Sequence, residues 1–264
     1  MTDIEKTPHI GIDEAARSRF AALCVEAAQA PRSEGDGGFG TLAEKRMHAV
    51  IKRFLCPDED FHEVGFSGTR YIADVRIGND VFEVQTGALR PMKAKLAYYL
   101  AHTDCTVTIV HPITINKQII TIDPDTGEAS EPKRSPKHER ANRLLSELYP
   151  LLPLLPNPRL RVRLLLIEAT EYRIANARRH RGRLLPTKYE LMPSALLDVL
   201  EFCTPSDYRA LLPQDLPSPF TVKELSKKTG LRGRDAYSAA HVLVALGITR
   251  SADPIGRAMA FTVV

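Results

Sequence analysis

Two hydrophobic periods alternate along the chain and predict its elements. In residues 41–55 apolar positions recur at helical spacing, with a capping box between Thr41 and Glu44 at the start and Pro57 beyond the end. Other apolar stripes and Ala-rich runs predict helices at 15–30, 90–102, 138–148, 194–202, 206–212 and 235–246. Alternating or β-branched runs predict strands at 61–66, 71–77, 81–86, 105–110, 117–122, 160–169, 248–250 and 258–263. This mixture predicts an α/β (α+β) protein with a mixed sheet flanked by helices.

Breaks in the pattern predict three regions. A Gly-rich segment at 33–40 is typical of a linker, so residues 1–40 are expected to form an N-terminal extension. Residues 41–190 carry most predicted strands and form the expected α/β domain. Residues 191–264 are expected to form a helical C-terminal domain.

Composition narrows the class of protein. The chain has 264 residues, 44% hydrophobic and 26% charged, as in soluble globular proteins. It has no apolar run near the ~20 residues of a membrane helix and no N-terminal signal core, so we expect a cytoplasmic protein without membrane contact. Its four cysteines form no CxxC pair, which argues against a zinc site or a disulfide framework.

Positive charge is concentrated in one window. The net charge of the chain is +4, yet residues 133–183 contain thirteen Lys and Arg against four Glu. Such an excess is an electrostatic signature of polyanion binding, although a solvated surface is the simpler interpretation of a charge run. The basic run that we expect to contact nucleic acid comprises Arg178, Arg179, Arg181 and Arg183.

Acidic residues fall at chemically informative places in the first half of the α/β domain. Asp74 interrupts the apolar register of one strand, and Glu83 and Gln85 share a face of the next. A tight turn at residues 78–80 joins these strands, so Asp74 and Glu83 can lie side by side. Two adjacent carboxylates repel unless a cation lies between them, and carboxylate oxygens suit Mg²⁺ or Mn²⁺.

This arrangement resembles the PD-(D/E)XK, or restriction-endonuclease-like, nuclease superfamily. The resemblance covers residues 41–110, with Glu44 on the first helix followed by Asp74 and Glu83-Val84-Gln85. It implies that Asp74 and Glu83 bind the metal and that Glu44 adds a ligand. Gln85 stands where the superfamily usually has the lysine that orients the attacking water. The resemblance implies a relocated lysine, for which the candidates are Lys93 and Lys95.

A second resemblance is to a widespread family of uncharacterised bacterial proteins with such a core. It rests on the EVQT motif, on residues 111–113 and on the later Ser-Pro-Lys at 135–137. It implies the architecture and no established activity.

Simpler explanations stand beside these functional ones. Acids that face each other across a hairpin are also common on solvated surfaces, and helix capping accounts fully for Glu44. His111, just before a proline, is more often a packed structural residue than a general base. His48 lies one helical turn from Glu44 and is a weak functional candidate.

The last 45 residues resemble a winged helix-turn-helix. A capping box between Thr221 and Glu224 opens a short helix that ends at Gly230, a second helix follows, and two strands surround a turn at residues 256–257. The resemblance implies that the second helix enters the DNA major groove. The residues then expected to face DNA are Arg232, Arg234, Ser238 and His241, with Arg257 at the wing tip.

Three functions follow from these patterns. The first is a metal-dependent nuclease that acts on nucleic acid, with DNA favoured, in which Gln85 places the water and Lys93 or Lys95 supplies charge. The second is a catalytically inactive nuclease fold that regulates through its winged helix, which the glutamine at position 85 favours. The third is a protein-interaction scaffold, and a homodimer stays open in all three.

Overall fold

A computed structural model describes residues 10–29, 41–136, 139–180 and 183–264. The helices are α1 (Glu14–Gln29), α2 (Thr41–Leu55), α3 (Lys93–His102), α4 (Arg143–Glu147), α5 (Val222–Thr229) and α6 (Arg234–Ala245). The strands are β1 (His62–Gly65), β2 (Ile72–Ile77), β3 (Asp80–Val84), β4 (Thr106–Ile122), β5 (Lys133–Arg134), β6 (Leu160–His180), β7 (Arg183–Phe202), β8 (Phe220–Thr221), β9 (Thr249–Ile255) and β10 (Ala258–Val263). No helix within these ranges has the length and apolar character to cross a membrane.

Seven strands form one mixed sheet, as the sequence predicts. Their order is β1-β2-β3-β4-β6-β7, with β5 paired to the far part of β4. Strand β4 runs parallel to both β3 and β6, and the other pairs are antiparallel. Because β3 and β4 are parallel, the residues that follow β3 lie beside the middle of the longer β4.

Helices cover both faces of this sheet. On one face α1 and α2 pack through Phe20 and Ile51 against Val84 and its strand neighbours. On the other face Leu96 of α3 and Leu144 of α4 join a second apolar core. Apolar side chains at alternate strand positions supply both layers, so a polar residue at the end of a strand reaches the rim of a layer.

The long strands differ from the prediction. The expected strands at 105–110 and 117–122 are one strand, β4. The expected helix at 194–202 is wrong, because those residues complete β7. The expected domain boundary between residues 190 and 191 also falls inside this strand. Register shifts in the β6–β7 pair interrupt strict alternation, so the buried residues of β7 fall at spacings that imitate a helix. The expected helix at 138–148 reduces to α4, and residues 206–212 lie largely in a 3₁₀ turn, Pro205–Leu211.

The C-terminal residues form a compact unit that packs on the sheet domain. Strands β8, β10 and β9 make a small antiparallel sheet beside α5 and α6. The predicted capping box of α5 is present, and Gly230 ends that helix at a φ of 78°. Ala239 and Leu243 of α6 share a core with Leu144 of α4, and the Asn142 side chain donates to the Thr229 carbonyl at 3.2 Å.

Candidate active site

A cavity of about 780 Å³ opens where β2 begins and β3 ends. Four residues that the sequence nominates for chemistry line it, and they come from two strands, the segment after β3 and the helix α3. These residues are Asp74, Glu83, Gln85 and Lys95. The topology thus brings together positions up to 21 residues apart in the chain.

Asp74 lies where the β2–β3 ladder stops. The last strand pair on this side is Val75 with Phe82, so Asp74 and Glu83 are the next facing positions. The Oδ2 atom of Asp74 accepts a hydrogen bond from the Val84 amide at 2.8 Å and lies 3.2 Å from His48 Nε2. Burial raises the pKa of Asp74, but His48, Lys95 and the Val84 amide together lower it below its ordinary value.

Glu83 is almost fully buried, with 2% of its surface exposed. Its Oε2 atom accepts a hydrogen bond of 2.5 Å from Lys95 Nζ, whereas Oε1 has no hydrogen-bond partner among the described residues. Burial, and then the charge of Asp74, raise the pKa of Glu83 to about 7, although Lys95 and the neighbouring Tyr99 hydroxyl lower it. A second cation would therefore find an acceptor already in place at Oε1.

The two acids thus have pKa values displaced in opposite directions. Asp74 stays ionised because it contacts the Val84 amide and His48 and feels the charge of Lys95, while Glu83 holds its proton to near neutral pH. Pairs of acids that the environment separates in this way are common at catalytic centres, although structural ion networks also produce them.

Lys95, rather than Lys93, reaches the acids. Lys93 begins α3 with an exposed side chain and does not line the cavity. Gln85 lies at the cavity with its Nε2 donating to the Ala88 carbonyl at 2.9 Å, which holds the amide plane in place. Its side-chain oxygen is then the atom available to accept from a water.

The cavity also contains residues that sequence reasoning passed over or weighted lightly. The sequence makes His48 only a weak functional candidate. Its contact with Asp74 follows from its position one turn after Glu44 on α2. Lys52 and Glu63 line the same cavity and form an ion pair of 2.7 Å. Glu63 has a φ of 53°, a left-handed conformation that is uncommon outside glycine and that no sequence pattern here signals.

The side chains of the cavity decide whether the expected Mg²⁺ or Mn²⁺ fits there. Among the described residues there is no group of three or more His, Cys, Asp or Glu side chains arranged to hold a metal ion. Glu44 lies in α2, but its side chain is outside the described part of the chain. Mg²⁺ commonly takes only one or two carboxylates and completes its shell with water and phosphate oxygens. The free Oε1 of Glu83 beside Asp74 fits that mode.

A second polar cluster lies on the other side of the Gln85–Leu89 segment, in a cavity of about 420 Å³. His111 Nδ1 lies 2.6 Å from the Gln85 carbonyl oxygen, and Nε2 lies 2.6 Å from Glu147 Oε2. Both neighbours are acceptors, so the imidazolium satisfies both and the neutral ring only one. Arg143 donates to Glu147 Oε1 at 2.6 Å. Burial raises the pKa of Glu147, but His111 and Arg143 lower it below its ordinary value.

Comparison with known families gives a family and no activity. The profile of a domain of unknown function (DUF8091) matches residues 45–203. The chain belongs to this family. Neither a curated protein nor a solved structure matches it. The DUF8091 segment contains every described cavity residue and ends one residue after β7, so the C-terminal unit lies outside it.

Beyond the DUF8091 segment, α6 exposes a stripe of four residues. Arg234, Tyr237, His241 and Val244 lie at spacings of three and four. Arg232 and Arg257 are exposed as well, the latter in the turn between β9 and β10. Ser238, which the sequence placed on this face, is buried against the core, and Tyr237, which it omitted, is half exposed.

The basic run lies where β6 turns into β7. The backbone pairs Arg178 with Leu185 and Arg179 with Leu184, so both strands continue to the turn. The side chains of Arg178, Arg179 and Arg183 are outside the described set, as is the whole of Arg181.

Proposed function

We propose that this DUF8091 protein is a Mg²⁺- or Mn²⁺-dependent phosphodiester hydrolase that acts on nucleic acid through a PD-(D/E)XK-like core. The observation that carries the proposal is the convergence of Asp74, Glu83, Gln85 and Lys95 on one cavity. Glu83 Oε1 is buried there and makes no hydrogen bond within the described residues, although the Tyr99 hydroxyl lies near this carboxylate, so Oε1 remains able to bind a cation.

Asp74 and Glu83 hold the metal in this proposal. The metal, when bound, polarises a phosphate oxygen and lowers the pKa of a coordinated water. Asp74 is ionised and fixed by the Val84 amide, so its orientation does not depend on the metal. Glu83 must release its proton before it can act as a ligand, since its pKa of about 7 keeps it partly protonated near neutrality.

Lys95 and Gln85 divide the task that a single lysine performs in the superfamily. Gln85 is neutral and positions a water through its side-chain oxygen. Lys95 carries the positive charge and lies 2.5 Å from Glu83, within reach of a phosphate at the same cavity. Charge stabilisation of this kind in a water-poor site is commonly the largest single contribution to catalysis.

The C-terminal unit positions nucleic acid as a winged helix does. Its order of elements, β8-α5-α6-β9-β10, with the strands in one small sheet, supports that assignment. The exposed stripe on α6 offers Arg234 and His241 to a groove, and Arg257 lies where a wing would meet phosphates. The basic run of Arg178, Arg179, Arg181 and Arg183, expected from the sequence, adds a second phosphate-binding region.

The test is a cleavage assay on labelled single- and double-stranded DNA and RNA with Mg²⁺ or Mn²⁺, alongside calorimetric titration of Mn²⁺. Asp74→Asn and Glu83→Gln are expected to reduce cleavage by ~10³-fold, because metal-assisted charge stabilisation is worth several kcal/mol. Glu63→Gln is the matched control: Glu63 lines the cavity but is tied to Lys52. It should retain both cleavage and Mn²⁺ binding. Unchanged cleavage in the Asp74 and Glu83 variants would refute the site.

A second candidate is a catalytically inactive regulator that binds DNA through the C-terminal unit. The glutamine at position 85 favours it, as does the hydrogen bond that pairs Lys95 with Glu83. This candidate predicts salt-dependent binding of duplex DNA, no cleavage of any substrate and no Mn²⁺ heat at the cavity.

A further inference from the structure

We propose that the surface formed by Arg70, Tyr71, Tyr98 and His102 is a stacking platform for unpaired bases of a single-stranded nucleic acid that enters the cavity. This inference rests on the proposed function and deepens it by naming the form of the substrate.

The four side chains form one continuous row, in which neighbouring rings are tilted by 42° and 35°. The ring centroids of Tyr71 and Tyr98 are 5.1 Å apart, and those of Tyr98 and His102 are 4.8 Å apart. The Arg70 guanidinium lies 5.8 Å from the centre of the Tyr71 ring. A row of aromatic rings with a guanidinium at one end matches the side chains that bind bases without sequence preference, because every base has a π-face.

Both ends of the row are open to solvent. Arg70 and His102 are exposed, whereas Tyr71 and Tyr98 are half-buried against the core beneath them. The core therefore holds the two central rings in place before any ligand arrives. A base can therefore add to the row at either end. Its binding costs little side-chain entropy, because the two central rings are already held in place.

The platform leads directly away from the candidate active site. Pro91, Lys95, Tyr98 and His102 follow one another at spacings of four, three and four residues, which is one face of the helical segment. Pro91 and Lys95 line the cavity. At a rise of 1.5 Å per residue His102 lies ~10 Å along the axis from Lys95, about three phosphate steps at duplex spacing.

Charge along this segment suits a polyanion. Residues 90–102 contain Arg90, Lys93 and Lys95 and no acid. Lys93, which does not reach the cavity, is exposed at the start of this helix. A duplex offers only base edges to a protein, because its base faces are stacked inside, so a stacking surface selects single strands or frayed ends.

The experiment measures binding by fluorescence anisotropy in EDTA, so that the result does not depend on cleavage. The probes are a labelled oligothymidylate of about fifteen nucleotides, an abasic oligomer of the same length and a duplex of the same length, at about 0.15 M salt. Tyr98→Leu keeps an apolar side chain over the core and removes the ring, and His102→Ala changes only an exposed end. Phe61→Leu, an exposed aromatic outside the row, is the matched control.

Tyr98→Leu and His102→Ala are expected to weaken oligothymidylate binding by about 5- to 100-fold and to leave abasic-oligomer affinity unchanged. Phe61→Leu should behave as the wild type. Equal losses on the abasic oligomer, or no loss on oligothymidylate, would overturn the platform. Base-dependent binding without any metal-dependent cleavage would uphold the platform while refuting the nuclease, so the two failures are distinguishable.

Discussion

Two glutamates on opposite sides of the Gln85–Leu89 segment have pKa values displaced in opposite directions. Glu83 is buried and contacts Lys95, Glu147 is part-buried and contacts Arg143, and both lose water on folding. The pKa of Glu83 is raised to about 7, whereas the pKa of Glu147 is lowered.

The number of partners accounts for the difference. A nitrogen group faces each oxygen of Glu147: Arg143 donates to Oε1, and His111 Nε2 lies 2.6 Å from Oε2, although it makes no hydrogen bond there. Glu83 has one cationic partner, Lys95 on Oε2, and Asp74 adds a like charge. The two nitrogen groups favour the ionised form of Glu147, whereas one lysine does not offset the burial of Glu83 and the charge of Asp74, so a further cation would stabilise Glu83 more.

The largest expected effect tests the completeness of the Glu147 cluster. His111→Ala should lower the free energy of unfolding by about 3–5 kcal/mol, because it removes a buried side chain and one of the two nitrogen groups that face the Glu147 carboxylate. Urea unfolding near neutral pH measures it. Glu147→Gln should show a smaller loss that fades as the pH falls below 4.5, since the stability from a lowered pKa is present only while the acid would be ionised in the unfolded chain. If His111→Ala leaves the free energy of unfolding unchanged, His111 is not what stabilises the ionised Glu147.

Lys95 provides the second test, because it is the only cation that contacts Glu83 in the described part of the chain. Lys95→Met should reduce metal-dependent cleavage by ~10²-fold, the loss typical for one charged donor at a transition state, while Lys93→Met should have no effect. Single-turnover rates on the best substrate measure both. Adding Gln85→Lys to Lys95→Met should restore part of the rate if the positive charge has moved from position 85 to position 95. Equal losses in the two single lysine variants would refute this assignment.

The sequence allows the acids to be predicted, but not their partners. The turn at residues 78–80 fixes the register of β2 and β3, so Asp74 and Glu83 fall together whatever the rest of the fold does. The choice between Lys93 and Lys95 depends on how α3 is rotated, which the packing of Leu96 and Tyr99 decides. Likewise His111 meets Glu147 only because α4 packs beside the extended β4, and no spacing in the sequence encodes that contact.

Glu83→Gln should stabilise the folded chain, and the gain should depend on pH. The folded pKa of about 7 lies above the ordinary value of 4.5, so the wild type loses stability as the pH rises from 4.5 through 7. Glutamine imitates the protonated acid and avoids that loss. Unfolding free energies should agree near the lower end, at about pH 4, and differ by about 3 kcal/mol at about pH 8.5, with the variant more stable. If Glu83→Gln is less stable than the wild type at alkaline pH, the ionised form of Glu83 is stabilised by the fold, as that of Glu147 is.

The smallest expected effect comes from Glu63, a third acid that shares the cavity of Glu83 but not its burial. Its side chain is 72% exposed and is paired with Lys52, which lowers its pKa. Solvent screens such a pair, so Glu63→Gln should change the unfolding free energy by less than about 1 kcal/mol between pH 5 and 9. Because the lowered pKa gives stability only above its ordinary value of 4.5, the remaining difference should disappear in acid. Urea unfolding across this pH range, run beside Glu83→Gln, makes the comparison. A pH-dependent gain as large as that of Glu83→Gln would show that burial is not what separates the acids of this cavity.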